Sequence, residues 1–210
     1  MSQTLRPNPR FAELATGDAL QRTVRALEAN GLTVFVTEHG RAAFNKALEL
    51  IPGGSEVMTM TSVTVDTIGL ARELNDSGRY HSLRSKLTQM DYKTQANEMR
   101  RLAAAPDYVV GSAHAVTEEG HVFVASNSGS QLATYVYTAG KVIWVVGAQK
   151  IVTGDAEAMQ RLYEYAFPLE DERALAAYGM RSGVNKVLIV HKEIQPGRIT
   201  IILVKEKLGF

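Results

Sequence analysis

The run Ser126-Asn127-Ser128-Gly129-Ser130-Gln131 gathers hydroxyls, amides and a glycine in one short stretch. Ser128 and Gln131 have the spacing of a capping box, in which two side chains satisfy each other's backbone N–H groups at a helix start. Leu132, Tyr135, Val136 and Ala139 then fall on one helical face, and Gly140 supplies a stop. Val142-Ile143-Trp144-Val145-Val146 follows as a buried strand. The first N–H groups of such a helix lack intrahelical partners and carry partial positive charge. A loop made by Asn127, Ser128, Gly129 and Ser130 can therefore hold a phosphate or carboxylate. The same pattern is also met by a serine that does no more than cap a helix.

Thr59–Thr64, centred on Thr61 and Ser62, is a second hydroxyl-rich junction between a strand and a helix. Open α/β sheets bind ligands where strands end and helices begin, so two such junctions can face one crevice. An ordinary connection is the alternative. Lys150 comes just after the apolar 142–146 strand, and Arg181 and Lys186 flank Ser182-Gly183-Val184-Asn185 before another strand. Each is a candidate partner for an anion, or a solvated surface cation. Glu118, beside Glu119 in a turn, would act as base or nucleophile if it leaned into the crevice; an exposed turn is the alternative. His39, His81, His114, His121 and His191 show no ligand spacing within one helix turn, so no metal is predicted. His114 falls in a strand and reads as structural. No nucleophile elbow, Walker loop or dinucleotide fingerprint occurs, and no cofactor is predicted.

The elements needed to position these groups are legible as periodicities. Helices are predicted at Thr16–Asn30, Arg41–Leu50, from Thr64 to about Leu74, through much of 75–105, and at Asp155–Phe167 and Glu170–Tyr178. Strands are predicted at Leu32–Val36, Glu56–Met60, Asp107–Gly111, Ala113–Thr117, Val122–Ala125 and Lys141–Gly147. Two more, Lys186–His191 and Arg198–Val204, are joined through the turn sequence Gln195-Pro196-Gly197. The alternation predicts an α/β fold: a Rossmann-like, largely parallel sheet with helices on both faces and an antiparallel C-terminal addition. Residues 1–17 are expected to form an N-terminal arm, loosest over the proline-bearing residues 1–10, and residues 18–210 one domain.

Composition narrows the function classes. The chain has 210 residues, 45% apolar and 21% charged, with a net charge of +1. That balance gives no electrostatic case for nucleic acid or an anionic membrane. There are no cysteines, so disulfides, thiolate metal sites and Cys-ligated clusters within the chain are excluded. No stretch approaches the roughly 18 apolar residues of a membrane helix, and the N-terminus lacks a signal-like apolar run. The protein is expected to be cytoplasmic.

Glu56–Gly69, the run Gly111–Glu118, Ser126–Gln131, Lys141–Ile151 and Asp171–Lys186 together resemble the lactate-utilisation (LUD) domain family. The resemblance extends from about residue 18 to the C-terminus, most plainly in SNSGSQLATYVYTAGKVIWVVGAQKIV and LEDERALAAYGMRSGVNKVLIV. It implies a fold similar to ribose-5-phosphate isomerase and the CoA transferases, with ligands at strand ends and phosphates on Ser/Thr/Gly loops. By position, Thr61-Ser62 and Asn127-Ser128-Gly129-Ser130 match those loops, and Glu118 matches an acidic residue common before the turn glycine. Where the phosphosugar isomerases carry an Asp, this chain has His114, which counts against isomerase chemistry. The resemblance implies binding of a small anionic metabolite (a phosphosugar, organic acid or CoA-like ester) in lactate or related organic-acid metabolism. Implied partners are iron–sulfur oxidoreductase proteins, with this chain as a non-catalytic accessory subunit in the alternative reading. A homo-oligomer is expected by analogy.

Overall fold

The computed structural model describes residues 5–210; the part of the predicted arm formed by residues 1–4 lies outside them. The near-continuous apolar runs form the middle of a six-stranded sheet whose pairings are all parallel. Its order is β1 (Thr33–Thr37), β10 (Ile199–Val204), β7 (Lys141–Gly147), β4 (Tyr108–Gly111), β2 (Glu56–Thr59) and β3 (His81–Ser82). Along β7, Val142, Trp144 and Val146 enter one core while Ile143 and Val145 enter the other, the pattern of a strand covered on both faces. Each fully buried aliphatic such as Ile143 contributes roughly 1.5–3 kcal/mol.

One face of this sheet is covered by α2 (Gly40–Leu50), α3 (Val63–Thr67) and α4 (Leu70–Asp76). The other is covered by α1 (Gly17–Ala29), α5 (Leu83–Leu87) and a second sheet. That sheet runs β8 (Ile151–Val152), β5 (Ala115–Thr117), β6 (Val122–Ser126), β9 (Lys186–Val190). Val116, Val122 and Val124 face the large sheet, while Ala115 and Phe123 pack beneath Ala158, Leu162 and Tyr165. A further helix, α6 (Tyr92–Leu102), buries no residue of its own.

The α/β class and parallel sheet agree with expectation, and several boundaries change. The last two strands do not pair with each other. β9 pairs antiparallel with β6 at the edge of the small sheet, whereas β10 runs parallel between β1 and β7. Every residue of β10 is buried, which only a central strand satisfies. The predicted helix to Leu74 breaks at Gly69, whose φ of 77° separates α3 from α4. The two predicted helices after residue 155 form one run: α7 (Asp155–Arg161), a π-helical turn over Leu162–Ala166, and α8 (Phe167–Tyr178). Pro168 follows that wide turn, which accommodates its ring and missing N–H. The arm is also docked from residue 8 onward. Asn8 N–H donates to the Glu164 carbonyl (2.8 Å), and Phe11, in a 3-10 turn over Pro9–Ala12, is buried beside Phe123.

Candidate functional site

A cavity of about 250 Å³ opens at the C-terminal ends of β2, β4 and β7, between the two sheets and α8. In an α/β sheet this is where loops rather than strands supply the walls, so polar groups can converge without breaking the ladder. One wall is Thr61–Thr64, leading into α3. A second is Ser112–His114, linking β4 to β5. The third is the loop after β6, with Asn127, Ser128, Ser130 and Gln131. Glu170, Arg173, Tyr178 and Arg181 close the fourth side. A wider hollow of about 390 Å³ beside α1, lined by Leu20, Val24 and Val36, gathers no comparable polar set.

Lys150 occupies the floor. The chain leaves β7 through a short 3-10 turn, Ala148–Lys150, which sends the side chain back under the sheet end. It is 2% exposed, and Nζ donates to Thr64 Oγ1 (3.0 Å), Ser112 Oγ (3.1 Å) and the Ala113 carbonyl (3.0 Å). All three acceptors are neutral. Burial, and secondarily the nearby Arg161 charge, pushes the amine well below its ordinary pKa.

Arg161 lies behind the wall and is wholly buried. Its guanidinium donates to the carbonyls of His114 and Phe11, and Nε has no partner. Burial lowers its pKa to about 10, so it remains a cation at neutral pH. His114 sits between these charges. The Ala125 N–H donates to its Nδ1 (3.2 Å), which fixes the Nε2–H tautomer of a neutral ring. Desolvation first, and then Lys150 and Arg161, push its pKa down to about 3.

The other charges around the cavity are paired. Arg173 grips Glu170 through two bonds of 2.7 Å. Arg181 meets Asp171 at 2.5 Å, and Asp171 also accepts from the Ser182 N–H (2.9 Å). Those contacts hold the segment after α8 against the cavity. Tyr135 reaches in from the opposite side, its ring edge-on to Trp144 at 5.2 Å. It passes over Gly111, where an added Cβ would stand 1.9 Å from the phenol oxygen. Burial raises the Tyr135 pKa, so the phenol stays protonated.

The Ser126–Gln131 loop lines the cavity without the expected capping box. Gly129 adopts φ +86°, which turns the chain so that Ser128 Oγ accepts from Ser130 N–H (3.3 Å). Ser126 Oγ accepts from Gly129 N–H (2.9 Å), and Gln131 Nε2 donates back to the Ala125 carbonyl (3.2 Å). The helix that follows is mostly one π-turn, Thr134–Thr138, on which Tyr135 is buried and Val136 is exposed. Its last carbonyls are held by Arg198, which donates to Tyr135 O (2.8 Å) and Val136 O (2.9 Å) while paired to Glu193 (2.6 Å). The loop is thus set by its own hydroxyls and by a clamp at the far end of the short helix.

The structure brings Thr61, Ser62, Asn127, Ser128, Ser130, Lys150 and Arg181 to one cavity. Ser62 also caps α3, accepting from Val65 N–H (3.4 Å). Three predicted residues are not in the wall. Gly129 does not line it and has the Lys186 stem packed against it, and Lys186 is itself exposed. Glu118 is at the opposite end of β5, paired with Arg22 at 2.6 Å, so it does not reach the cavity as a base or nucleophile. Sequence reasoning missed Ser112 and Arg161. Ser112 follows a strand end, which is a usable signal, whereas nothing in the helical pattern around Arg161 marks it as buried.

Among the described residues no helix is long and apolar enough to cross a membrane. A family model described as LUD domain matches residues 20–204. Among solved structures, a DUF162 family protein from Deinococcus radiodurans is similar at 14% identity and a TM-score of 0.55. The match covers 91% of this chain and 99% of that one, and shows a shared fold. eIF2B beta from Chaetomium thermophilum matches at 17% identity and a TM-score of 0.38, over 56% of this chain and 43% of that one. That likeness is too loose to define a common fold. A comparison with curated proteins finds no match. With the family model spanning both sheets and every wall of the cavity, the chain belongs to the LUD-domain family and so, broadly, to lactate utilisation.

Proposed function

We propose that the cavity binds a small anionic metabolite of organic-acid metabolism, with its carboxylate or phosphate drawn toward Lys150 and the Ser128–Ser130 loop. The observation that carries this reading is a buried cation, Arg161, beside a buried amine, Lys150, each bonded to neutral acceptors and neither facing a carboxylate among the described residues; a bound anion favours the charged form of that amine. Removing such charges from water costs several kcal/mol each unless something negative offsets it. An anionic ligand offsets it, and the Ser/Thr hydroxyls on two walls supply donors around it. Thr61, Ser62, Asn127 and Arg181 complete the proposed contact set.

Titration calorimetry and thermal shift against lactate, pyruvate, a pentose phosphate and an acyl-CoA test this. At least one is expected to bind the wild type and to lose affinity in Lys150→Met and in a Ser128→Asp/Ser130→Asp variant. If none binds, or if the variants bind as the wild type does, the reading fails.

A second reading is favoured by the chemistry of the walls. Among the described residues the cavity's one lining carboxylate, Glu170, is engaged by Arg173. A site without a free carboxylate suits an accessory subunit that holds a metabolite for an iron–sulfur oxidoreductase partner in the cytoplasm. Affinity capture from cells grown on lactate is expected to recover such a partner. Recovery of self-associated chains only, with normal growth on lactate after deletion, overturns it.

A further inference from the structure

At the end of the small sheet remote from the cavity, three elements converge. His121 stands at the entry to β6, His191 just past the end of β9, and Asp155 at the first residue of α7. One ligand atom from each lies within 4.8 Å of the others. The two imidazoles stack face to face, centroids 4.3 Å apart and planes 9° from parallel. Two carboxylates aim at the same nitrogen: Asp155 Oδ1 is 2.7 Å from His121 Nδ1, and Glu119 Oε2 is 3.9 Å from it. No Lys or Arg pairs with Asp155 or Glu119 among the ion pairs of the described residues.

We propose that His121, Asp155 and His191 form a binding site for a divalent transition-metal ion, represented by Zn²⁺, with Glu119 available as a fourth ligand. The donor set argues for this class of ion. Two imidazole nitrogens with carboxylate oxygen suit zinc and its neighbours, whereas Mg²⁺ and Ca²⁺ prefer all-oxygen sets. Zinc bonds to such ligands at about 2.0–2.2 Å, which sets ligand atoms about 3.3 Å apart. The present separations start at 2.7 Å and none exceeds 4.8 Å. Coordination requires the two rings to turn out of their parallel stack so that both lone pairs converge on the ion, and the exposed His191 ring is the one with room to do so; the side chains of Asp155 and Glu119, 44% and 65% exposed, adjust with it. Their backbones are held at strand and helix ends.

The ion would have a structural consequence. α7 opens the helical run whose later residues Glu170 and Arg173 line the cavity. Tying Asp155 to β6 and β9 anchors the start of that run to the sheet beneath it. This inference does not rest on the cavity's ligand.

Calorimetry with ZnCl₂ on the full, untagged chain, together with melting curves with and without zinc, is the test. The wild type is expected to bind one equivalent and to melt at higher temperature with zinc, since an ion bound to the folded state stabilises it. His121→Ala and His191→Ala are expected to bind at least tenfold more weakly and to lose the zinc-dependent rise. His81→Ala, at an exposed histidine outside the cluster, is expected to behave as wild type. If His121→Ala does not fold, His191→Ala and the wild-type melt decide the matter. Sub-stoichiometric binding, equal affinity in the cluster variants, an equal loss in His81→Ala, or Mg²⁺ binding as tightly as Zn²⁺ each overturns the proposal.

Discussion

The two ends of the β5–β6 pair make a natural comparison. At one end, His114 lies among cations with no opposing carboxylate: Lys150 and Arg161 are buried against hydroxyls and carbonyls. At the other end, His121 lies among carboxylates with no opposing Lys or Arg: Asp155 and Glu119 converge on it. Hydrogen bonds satisfy geometry at both ends but leave charge uncompensated. Buried charge is costly, whereas exposed charge is screened by water and costs little. The cavity end is the buried one, so its imbalance is the stronger sign of a missing ion of opposite sign. The exposed end carries a weaker sign, and its reading depends on the donor set rather than on desolvation.

The largest expected effect breaks the buried end. Arg161→Ala removes a fully buried side chain and leaves the His114 and Phe11 carbonyls unpaired. A loss of about 3–5 kcal/mol in urea unfolding is expected, with Arg161→Met costing clearly less because it keeps the packing. Equal losses would mean that the charge itself stabilises the fold.

Acid titration is the next test. The folded-state pKa of His114 is depressed to about 3 from an unfolded value of 6.5, so between those values the unfolded chain binds the extra proton. This group's contribution to stability is present above pH 6.5 and is lost as pH falls toward 3, at up to about 1.4 kcal/mol per pH unit. His114→Gln is expected to flatten that slope in denaturant melts between pH 7 and pH 5. An unchanged slope would place the acid sensitivity elsewhere.

Lys150→Met sharpens the comparison by separating binding from folding. It replaces a buried amine with an apolar chain of similar length, an exchange often neutral or stabilising. Ligand affinity is expected to fall at least tenfold, about 1.4 kcal/mol, while the melting temperature holds or rises. A large drop in melting temperature would show that Lys150 serves the fold. The smallest effect belongs to Glu118→Gln. It removes a partly exposed pair with Arg22 and should leave both melting temperature and ligand binding within error of wild type. Loss of binding there would connect the two ends of β5 in a way their separation does not.

Much of this is legible in the sequence. The apolar run 142–146, the helix over Thr16–Asn30, and the hydroxyl-rich junctions at 61–64 and 126–130 all mark local events, and local events follow from nearest neighbours along the chain. The Ser128–Gln131 pairing failed because Gly129 entered the left-handed region and redirected both side chains, one toward Ser130 and the other toward Ala125. The separation of the last two strands into different sheets was not legible, because a good turn sequence does not say which sheet receives the next strand.

The sequence by itself determined the class of the fold, the order of its strands and helices, and the polar loops that form two walls of the cavity. Periodicity and turn chemistry act over a few residues, and they are written directly in the chain. Tertiary structure decided which charges are left without partners. Lys150 finds Thr64 and Ser112, Arg161 finds His114 and Phe11, and His121 finds Asp155 and His191, each across dozens of residues of chain. It also carried Glu118 away from the cavity and β10 into the centre of the large sheet. Burial and long-range pairing arise only when the layers close on one another, and the charge imbalance that marks each site exists only once they have.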